Sequence, residues 1–350
     1  MTENRFLLMD IGAGTLDMLY YDMNSHQSYK AVVMSPVREV ARQISGISGN
    51  LVITGCEMGG GSVSAVLQKR AAQGDRIIMS QSAAKTIHHD LDRVTALGIE
   101  VVPDNLTYDY IQKGAGTAVT ISDIQIDRIA QIVKAFGVPF EFDAVAVCAQ
   151  DHGVAPKGVS HLDYRHNLFQ KRLDQTPSPA TLLYALDEIP ATMSRLTAIA
   201  HSAGQLPTKE IFVMDSGMAA ILGAGMDPQL RDKNQFLLLD IATSHTVGAA
   251  MSENLIDGFF EYHTHDITCE RIDQLLTALA DGNINHADIL SQGGHGAYLR
   301  KSSGFAAIEA IIATGPKRGL LKDSKHKITW GAPLGDNMMT GTAGLLEALR

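Results

Sequence analysis

The chain has few cysteines and no long apolar run, and each shortage excludes something. Cys56, Cys148 and Cys269 stand alone in 350 residues, without a Cys-x-x-Cys pair. That excludes a disulfide framework, a zinc knuckle and a radical cluster on three closely spaced cysteines. No apolar run approaches the ~20 residues of a membrane helix. At the start, Phe6 to Met9 is too short for a signal peptide and is cut by Asp10. A cytoplasmic protein without a membrane partner is expected. Charged residues are 19% of the chain and sum to −9, which argues against a broad nucleic-acid surface. No Gly-Lys-Ser/Thr occurs, so there is no Walker loop. What the chain does have is 32 glycines and 45% hydrophobic residues, the composition of a soluble α/β protein of about two domains.

One phrase occurs twice. Phe6-Leu7-Leu8-Met9-Asp10-Ile11 opens the chain, and Phe236-Leu237-Leu238-Leu239-Asp240-Ile241 returns late in it. Each is an apolar run ending in Asp, then small residues, then a second apolar run (Met18 to Tyr21; Val247 to Met251). The pattern predicts a buried strand, a tight turn and a returning strand. An acidic group at the end of a buried strand is costly unless it is paired or faces a cation. Two such hairpins facing one cleft could hold a metal-bound polyphosphate. In the first, Gly12 and Gly14 would permit positive φ and aim backbone N–H groups at an anion. Ala13 lies between them, Thr15 adds a hydroxyl, and Asp10 can hold hydrated Mg2+. The dinucleotide fingerprint would need glycine where Asp17 stands. A plain Gly-rich β-hairpin is the competing reading.

Further strands are expected near 29–34, 51–54, 76–79, 99–102, 144–149 and 211–214. Helices are expected near 36–46, 122–136, 218–224, 267–280 and 339–349. Leu182, Leu183, Leu186, Ile189, Met193 and Leu196 keep helical spacing with Pro190 as a kink. Residues 151–177 are polar and read as a long loop. The expected division is 1–205 and 206–350, two related α/β halves, with an insertion at about 76–142.

The paired hairpins resemble the actin, Hsp70 and sugar-kinase superfamily, and the first is similar to the opening of hydantoinase and oxoprolinase subunits. The resemblance implies two ribonuclease H-like (actin-like ATPase) domains around a nucleotide cleft. It implies that Asp10, Gly12, Gly14 and Thr15 meet phosphates and Mg2+ from one side. Asp240, Thr243, Ser244 and Thr246 would do so from the other, with Asp10 and Asp240 as metal ligands. Ala242-Thr243-Ser244-His245 replaces the glycines expected there, so side-chain hydroxyls or His245 become the donors. Ile311 to Pro316 looks like the adenosine motif, assigning Gly315, Pro316 and Arg318 to the nucleotide. Thr54 to Gly61, Gln150 to Gly153 and Pro333 to Asp336 are similar to a prokaryotic family labelled as a pyruvate formate-lyase activating enzyme. That label implies iron–sulfur radical chemistry, whose cysteines this chain lacks, so the resemblance is kept for the fold.

Other residues carry candidate chemistry. Gly59-Gly60-Gly61 follows a strand and opens a helix, as an anion site or as a packing device. Asp151 is the candidate base and Gln150 the candidate water-orienting residue, with helix capping the competing role for Asp151. Three polar clusters, His161/Asp163/Arg165/His166, His263/His265/Asp266 and His88/His89/Asp90, are surface histidines or ligands for an anionic acceptor or a transition metal. The favoured function is a Mg2+-dependent, ATP-binding phosphotransferase or ATPase of unknown acceptor, with an anionic small molecule among the candidates. A nucleotide-dependent switch or scaffold is the alternative, and a metal-dependent hydrolase a weaker one.

Overall fold

The computed structural model describes residues 5–156 and 158–350. The apolar repeat does form two hairpins. β1 (Arg5–Ile11) and β2 (Thr15–Asp22) pair antiparallel, and β3 (Gln27–Met34) continues the meander. An added layer follows: α1 (Pro36–Gly46), β4 (Leu51–Gly55), α2 (Gly61–Ala72), β5 (Ile77–Ser80), α3 (Gln81–Ala84), α4 (Leu91–Ala96), β6 (Ile99–Val102), α5 (Thr107–Gln112) and β7 (Thr117–Ile121). Its strands form a parallel sheet of order β6-β5-β4-β7 with its own core around Val63, Leu67 and Met79. The expected insertion at 76–142 therefore begins too late, because β4 and α2 belong to this layer.

The chain returns through α6 (Ile126–Ala135) to β8 (Phe142–Ala149), parallel to β1. Next come α7 (His161–Leu173), β9 (Leu183–Ala185), α8 (Ser194–Ala203), β10 (Thr208–Asp215) and α9 (Ser216–Gly225). β10 pairs parallel with β8, Val213 beside Val147, so the first sheet runs past the division expected at 205/206. The second half contains β11 (Gln235–Ile241), β12 (His245–Ser252), β13 (Leu255–His263), α10 (Cys269–Ala280), α11 (His286–Ser291), β14 (Gly296–Leu299), β15 (Ala310–Thr314), β16 (Thr329–Trp330) and α12 (Thr340–Ala348).

The two large sheets have one plan. Their orders are β3-β2-β1-β8-β10-β9 and β14-β13-β12-β11-β15-β16. In each, a three-strand antiparallel meander lies beside two parallel strands, so β1 corresponds to β11 and β8 to β15. Asp10 lies beside Cys148 and Asp240 beside Thr314, in matching positions. The halves meet where α9 crosses α12 without side chains between them. A Cβ on Gly223 would come within 1.8 Å of the Thr340 carbonyl, and one on Gly344 within 1.8 Å of the Ala219 carbonyl. No helix among the described residues is long and apolar enough to cross a membrane.

Two expectations fail here. Residues 151–177 are not all loop, because α7 begins at His161, capped by Ser160, whose hydroxyl accepts from the Asp163 N–H. Residues 182–196 are not one helix. A 3-10 turn, β9 and a further turn fill the span, and α8 starts only at Ser194, beyond Pro190.

Candidate functional site

Both hairpin turns open on one cavity of about 940 Å³ between the sheets. Asp10, Gly12, Ala13, Thr15 and Asp17 line one side, and Asp240, Thr243, Ser244 and His245 the other. The turns are built alike. The Gly12 N–H donates to the Thr15 carbonyl at 3.0 Å, and the Ala242 N–H to the His245 carbonyl at 3.0 Å. Neither turn contains a residue with positive φ, so the second keeps this geometry without glycine. The reason for Gly14 is instead room, since a Cβ there would stand 3.0 Å from Thr243 Oγ1 on the opposing turn. Gly14 thus spaces the hairpins and does not line the cavity.

Each turn is braced by the residue that follows the third strand. The Ser35 N–H donates to the Gly14 carbonyl (3.1 Å) and its hydroxyl to the Gly12 carbonyl (2.6 Å). The Thr264 N–H donates to the Ser244 carbonyl (2.8 Å) and its hydroxyl to the Ala242 carbonyl (2.9 Å). Sequence reading missed both braces, whose signal is only a hydroxyl residue just past an apolar strand. Thr246, expected to meet phosphate, is buried, and its hydroxyl is shared with Thr264 at 3.0 Å. Arg318 also lies off the cavity wall, bound to the Gly331 carbonyl and packed 5.8 Å from the Trp330 ring centre.

Three carboxyls crowd the hairpins. Burial, then the charge of Asp240, lifts Asp10 from 3.8 to about 7. Burial and Asp10 lift Asp17 to about 8, and burial lifts Asp240 to about 6. Asp240 Oδ1 accepts from the Thr314 hydroxyl at 3.0 Å, as Asp10 accepts from Cys148. Asp17 Oδ1 is buried without a hydrogen-bond partner. The start of α12 presses on this group, since a Cβ on Gly341 would fall 2.1 Å from Asp10 Oδ2. Opposite, Gly315 (φ 88°) lies so near the Ile241 carbonyl that a Cβ would stand 2.5 Å away. It lines the cavity with Pro316.

Gly59, Gly60 and Gly61 also border the cavity. The packing reading accounts for the first two. A Cβ on Gly59 would be 2.6 Å from Val37 Cγ2, and one on Gly60 would be 2.6 Å from the Thr86 carbonyl. The Gly59 N–H donates to the Asp123 carboxylate (3.2 Å), which also holds Arg195 (2.8 Å). Asp151 is in the cleft but both its oxygens are engaged: Oδ1 accepts from the Gly153 N–H (2.8 Å) and Oδ2 from the Leu196 N–H (3.0 Å). It caps α8, the competing role given by the sequence. Asp151→Ala should leave two buried N–H groups unpaired and lower stability by about 1–3 kcal/mol, read as a lower urea midpoint. An unchanged midpoint would show that the cap carries no weight.

Gln150 donates to Glu261 Oε1 at 2.7 Å. Glu261 Oε2 receives Arg165 Nη1 at 2.6 Å, while Arg165 Nη2 reaches Asp215 Oδ2 at 2.6 Å. Arg165 therefore ties β10 of the first sheet to β13 of the second and is not free for an acceptor. Its charge helps hold Glu261 well below the ordinary carboxylate range, against burial. Of the other polar residues, Asp163 pairs with His286 (2.8 Å) and His89 with Glu57 (2.8 Å). Asp90 caps α4.

A second group lies on the same wall. β12 begins with His245 and β13 ends with His263, directly opposite in register. Just before β14, His295 has its ring centre 4.2 Å from that of His263 and 5.0 Å from that of His245. One ring nitrogen from each lies within 4.8 Å of the others. Burial lowers His245 to about 3 and the adjacent His152 to about 4, so both rings are neutral at pH 7.

The sheet order and the shared cavity define the class: two ribonuclease H-like halves facing one cleft, the actin-like ATPase fold. The chain belongs to the family described as "Putative pyruvate format-lyase activating enzyme (DUF1786)", which matches residues 58–320. The chemistry in that description does not fit these residues. Cys56 follows β4, Cys148 lies in β8 and Cys269 starts α10, so no cluster of three cysteines forms among them. No curated protein matches the chain. Among solved structures it is similar to a Bacteroides thetaiotaomicron protein with actin-like ATPase fold and unknown function (8% identity, 98% of this chain and 96% of that one, TM-score 0.36). It is also similar to MreB5 of Spiroplasma citri bound to ADP (10%, 99% and 97%, 0.35). A third is a Listeria monocytogenes protein described as "a putative N-acetylmannosamine kinase" (10%, 99% and 100%, 0.33). The fold class rests on the sheet order, not on these likenesses.

Proposed function

We propose that the cleft binds a nucleoside triphosphate, ATP by preference, with Mg2+, and that the chain is a phosphotransferase or ATPase. The observation that carries this is the pair Asp10 and Asp240. They end equivalent strands, face one cavity and are both held above the ordinary carboxylate range. With the orphaned Asp17 oxygen beside them, they suit a hard divalent cation that keeps most of its waters. Asp10 and Asp240 would hold Mg2+, which supplies charge neutralisation for a transferring phosphoryl group.

Gly12, Ala13 and Thr15 would border the phosphates from one side, and Thr243 and Ser244 from the other. Gly315 and Pro316 would border the nucleoside. Catalysis would be positioning and fixed electrostatics rather than covalent chemistry. Gln150, oriented by Glu261, would direct the attacking group. His152, His161 and Lys85 border the space for a small anionic acceptor.

Calorimetry of the whole chain with ATP and GTP, with and without Mg2+, tests this, followed by phosphate release. Mg2+-dependent binding in the micromolar to millimolar range is expected, with ATP the tighter. Phosphate release assigns an enzyme, and binding without turnover assigns a nucleotide-dependent switch. No Mg2+-dependent binding of either nucleotide would end the reading.

A further inference from the structure

We propose that His245, His263 and His295 form a second cation site in the same cleft, for a divalent first-row transition metal of the zinc class. The site would keep an open coordination position toward the cavity. Three separate observations carry it. Strand pairing fixes His245 and His263 side by side, and the approach to β14 brings His295 onto them, so the cluster is built by the sheet and not by a mobile loop. Two of the rings carry nitrogens with nothing to bind: His245 Nε2 and His295 Nδ1 are buried and without hydrogen-bond partners. The His295 side chain is 6% exposed, and its Nδ1 stands 3.6 Å from Glu261 Oε1, beyond hydrogen-bond reach. Thirdly, all three rings border the cavity.

Imidazole is a ligand for zinc, iron, nickel and copper, whereas Mg2+ takes oxygen, so this site and the carboxylate group select different ions. Nitrogens at 2.0–2.1 Å from one tetrahedral ion lie about 3.3 Å apart, and small side-chain rotations bring these atoms, within 4.8 Å of one another, to that distance. Three protein ligands leave a fourth position for an oxygen donor, as in catalytic rather than structural zinc sites. His265 is excluded, because its side chain is exposed and turned to Asp266 at 3.2 Å.

The site does not depend on nucleotide binding, and its test uses none. Chelator-treated full-length protein is titrated with Zn2+ by calorimetry and with Co2+ by visible absorption. One equivalent of each should bind, with the absorption of a four-coordinate cobalt centre, and azide should shift that spectrum by entering the open position. His263→Ala and His245→Asn, checked for folding by circular dichroism, should each weaken Zn2+ binding at least 10-fold, while His265→Ala should not. No saturable binding of Zn2+ or Co2+, or binding that survives both His263→Ala and His245→Asn, overturns the site. A cobalt spectrum indifferent to azide overturns the open position.

Discussion

Asp10→Asn is expected to weaken Mg2+-dependent nucleotide binding about 100-fold or more, while raising the melting temperature of the ligand-free protein. Both effects come from one cause. The half-buried carboxyl lies against Asp17 and Asp240 and is held at about 7. A charge kept in such a place serves a bound cation and costs stability without one. The sign with pH follows. Asp10 and Asp17 titrate in the folded protein at about 7 and about 8, against an ordinary 3.8. Their protonated forms therefore favour the folded state. That contribution is whole below the unfolded value and is lost as pH rises through the folded ones. Chelator-treated wild type should lose about 2–3 kcal/mol of unfolding free energy between roughly pH 6.5 and 8.5. Below that window, the lowered values of His152 and His245 act in the opposite direction. In Asp10→Asn the slope should flatten, because one titrating group is gone and the charge that raises Asp17 goes with it. Urea unfolding at several pH values, alongside calorimetry, measures both. Equal affinity and an equal pH slope in the variant would remove Asp10 from the site.

The second large effect belongs to the helix crossing. Gly344→Ala would drive a methyl to 1.8 Å from the Ala219 carbonyl, and Gly223→Ala would do the same to the Thr340 carbonyl. The obstacle is backbone, so no rotamer change relieves it, and α9 and α12 must separate. A loss of about 3 kcal/mol or more is expected, at the upper end for overpacking, with reduced yield of folded protein. Gly46→Ala is the control. A Cβ there meets nothing within 4 Å, and it closes α1 without positive φ. It should stabilise by about 0.4–1 kcal/mol through the unfolded chain. Equal urea midpoints for Gly344→Ala and wild type would mean that the crossing is looser than its geometry.

The hairpins were legible because their signal is local: an apolar run, an Asp and small residues, occurring twice. What the sequence hid was whatever sheet pairing assembles. His245, His263 and His295 are far apart in the chain, and only the antiparallel register of β12 and β13 makes two of them neighbours. Helix α7 was hidden for a different reason. Its buried face holds Arg165 and His166 beside Phe169 and Leu173, so the apolar period is broken by groups that are buried only because they are paired or stacked. In 182–196 the period was present but misleading, because Leu182 and Met193 are buried by separate turns. Gly14 was read for its torsions, whereas it is there for the space that a side chain would occupy, as Gly59 and Gly60 are on the packing reading.

The contact of Gly341 with Asp10 has one more consequence. The helix that begins at this carboxylate is the same helix whose Gly344 rests on α9. Its first turn is thus the short arm of a lever, and the glycine crossing one residue-triplet further on is its fulcrum. With backbone already against backbone, the halves have no slack in which to approach there, and only tilting or sliding about that point is open to them. A shift of a fraction of an ångström at Asp10 would be read out as rotation of one sheet against the other. The position of the Asp10 carboxylate is thereby coupled, through three residues of α12, to the crossing of the two halves.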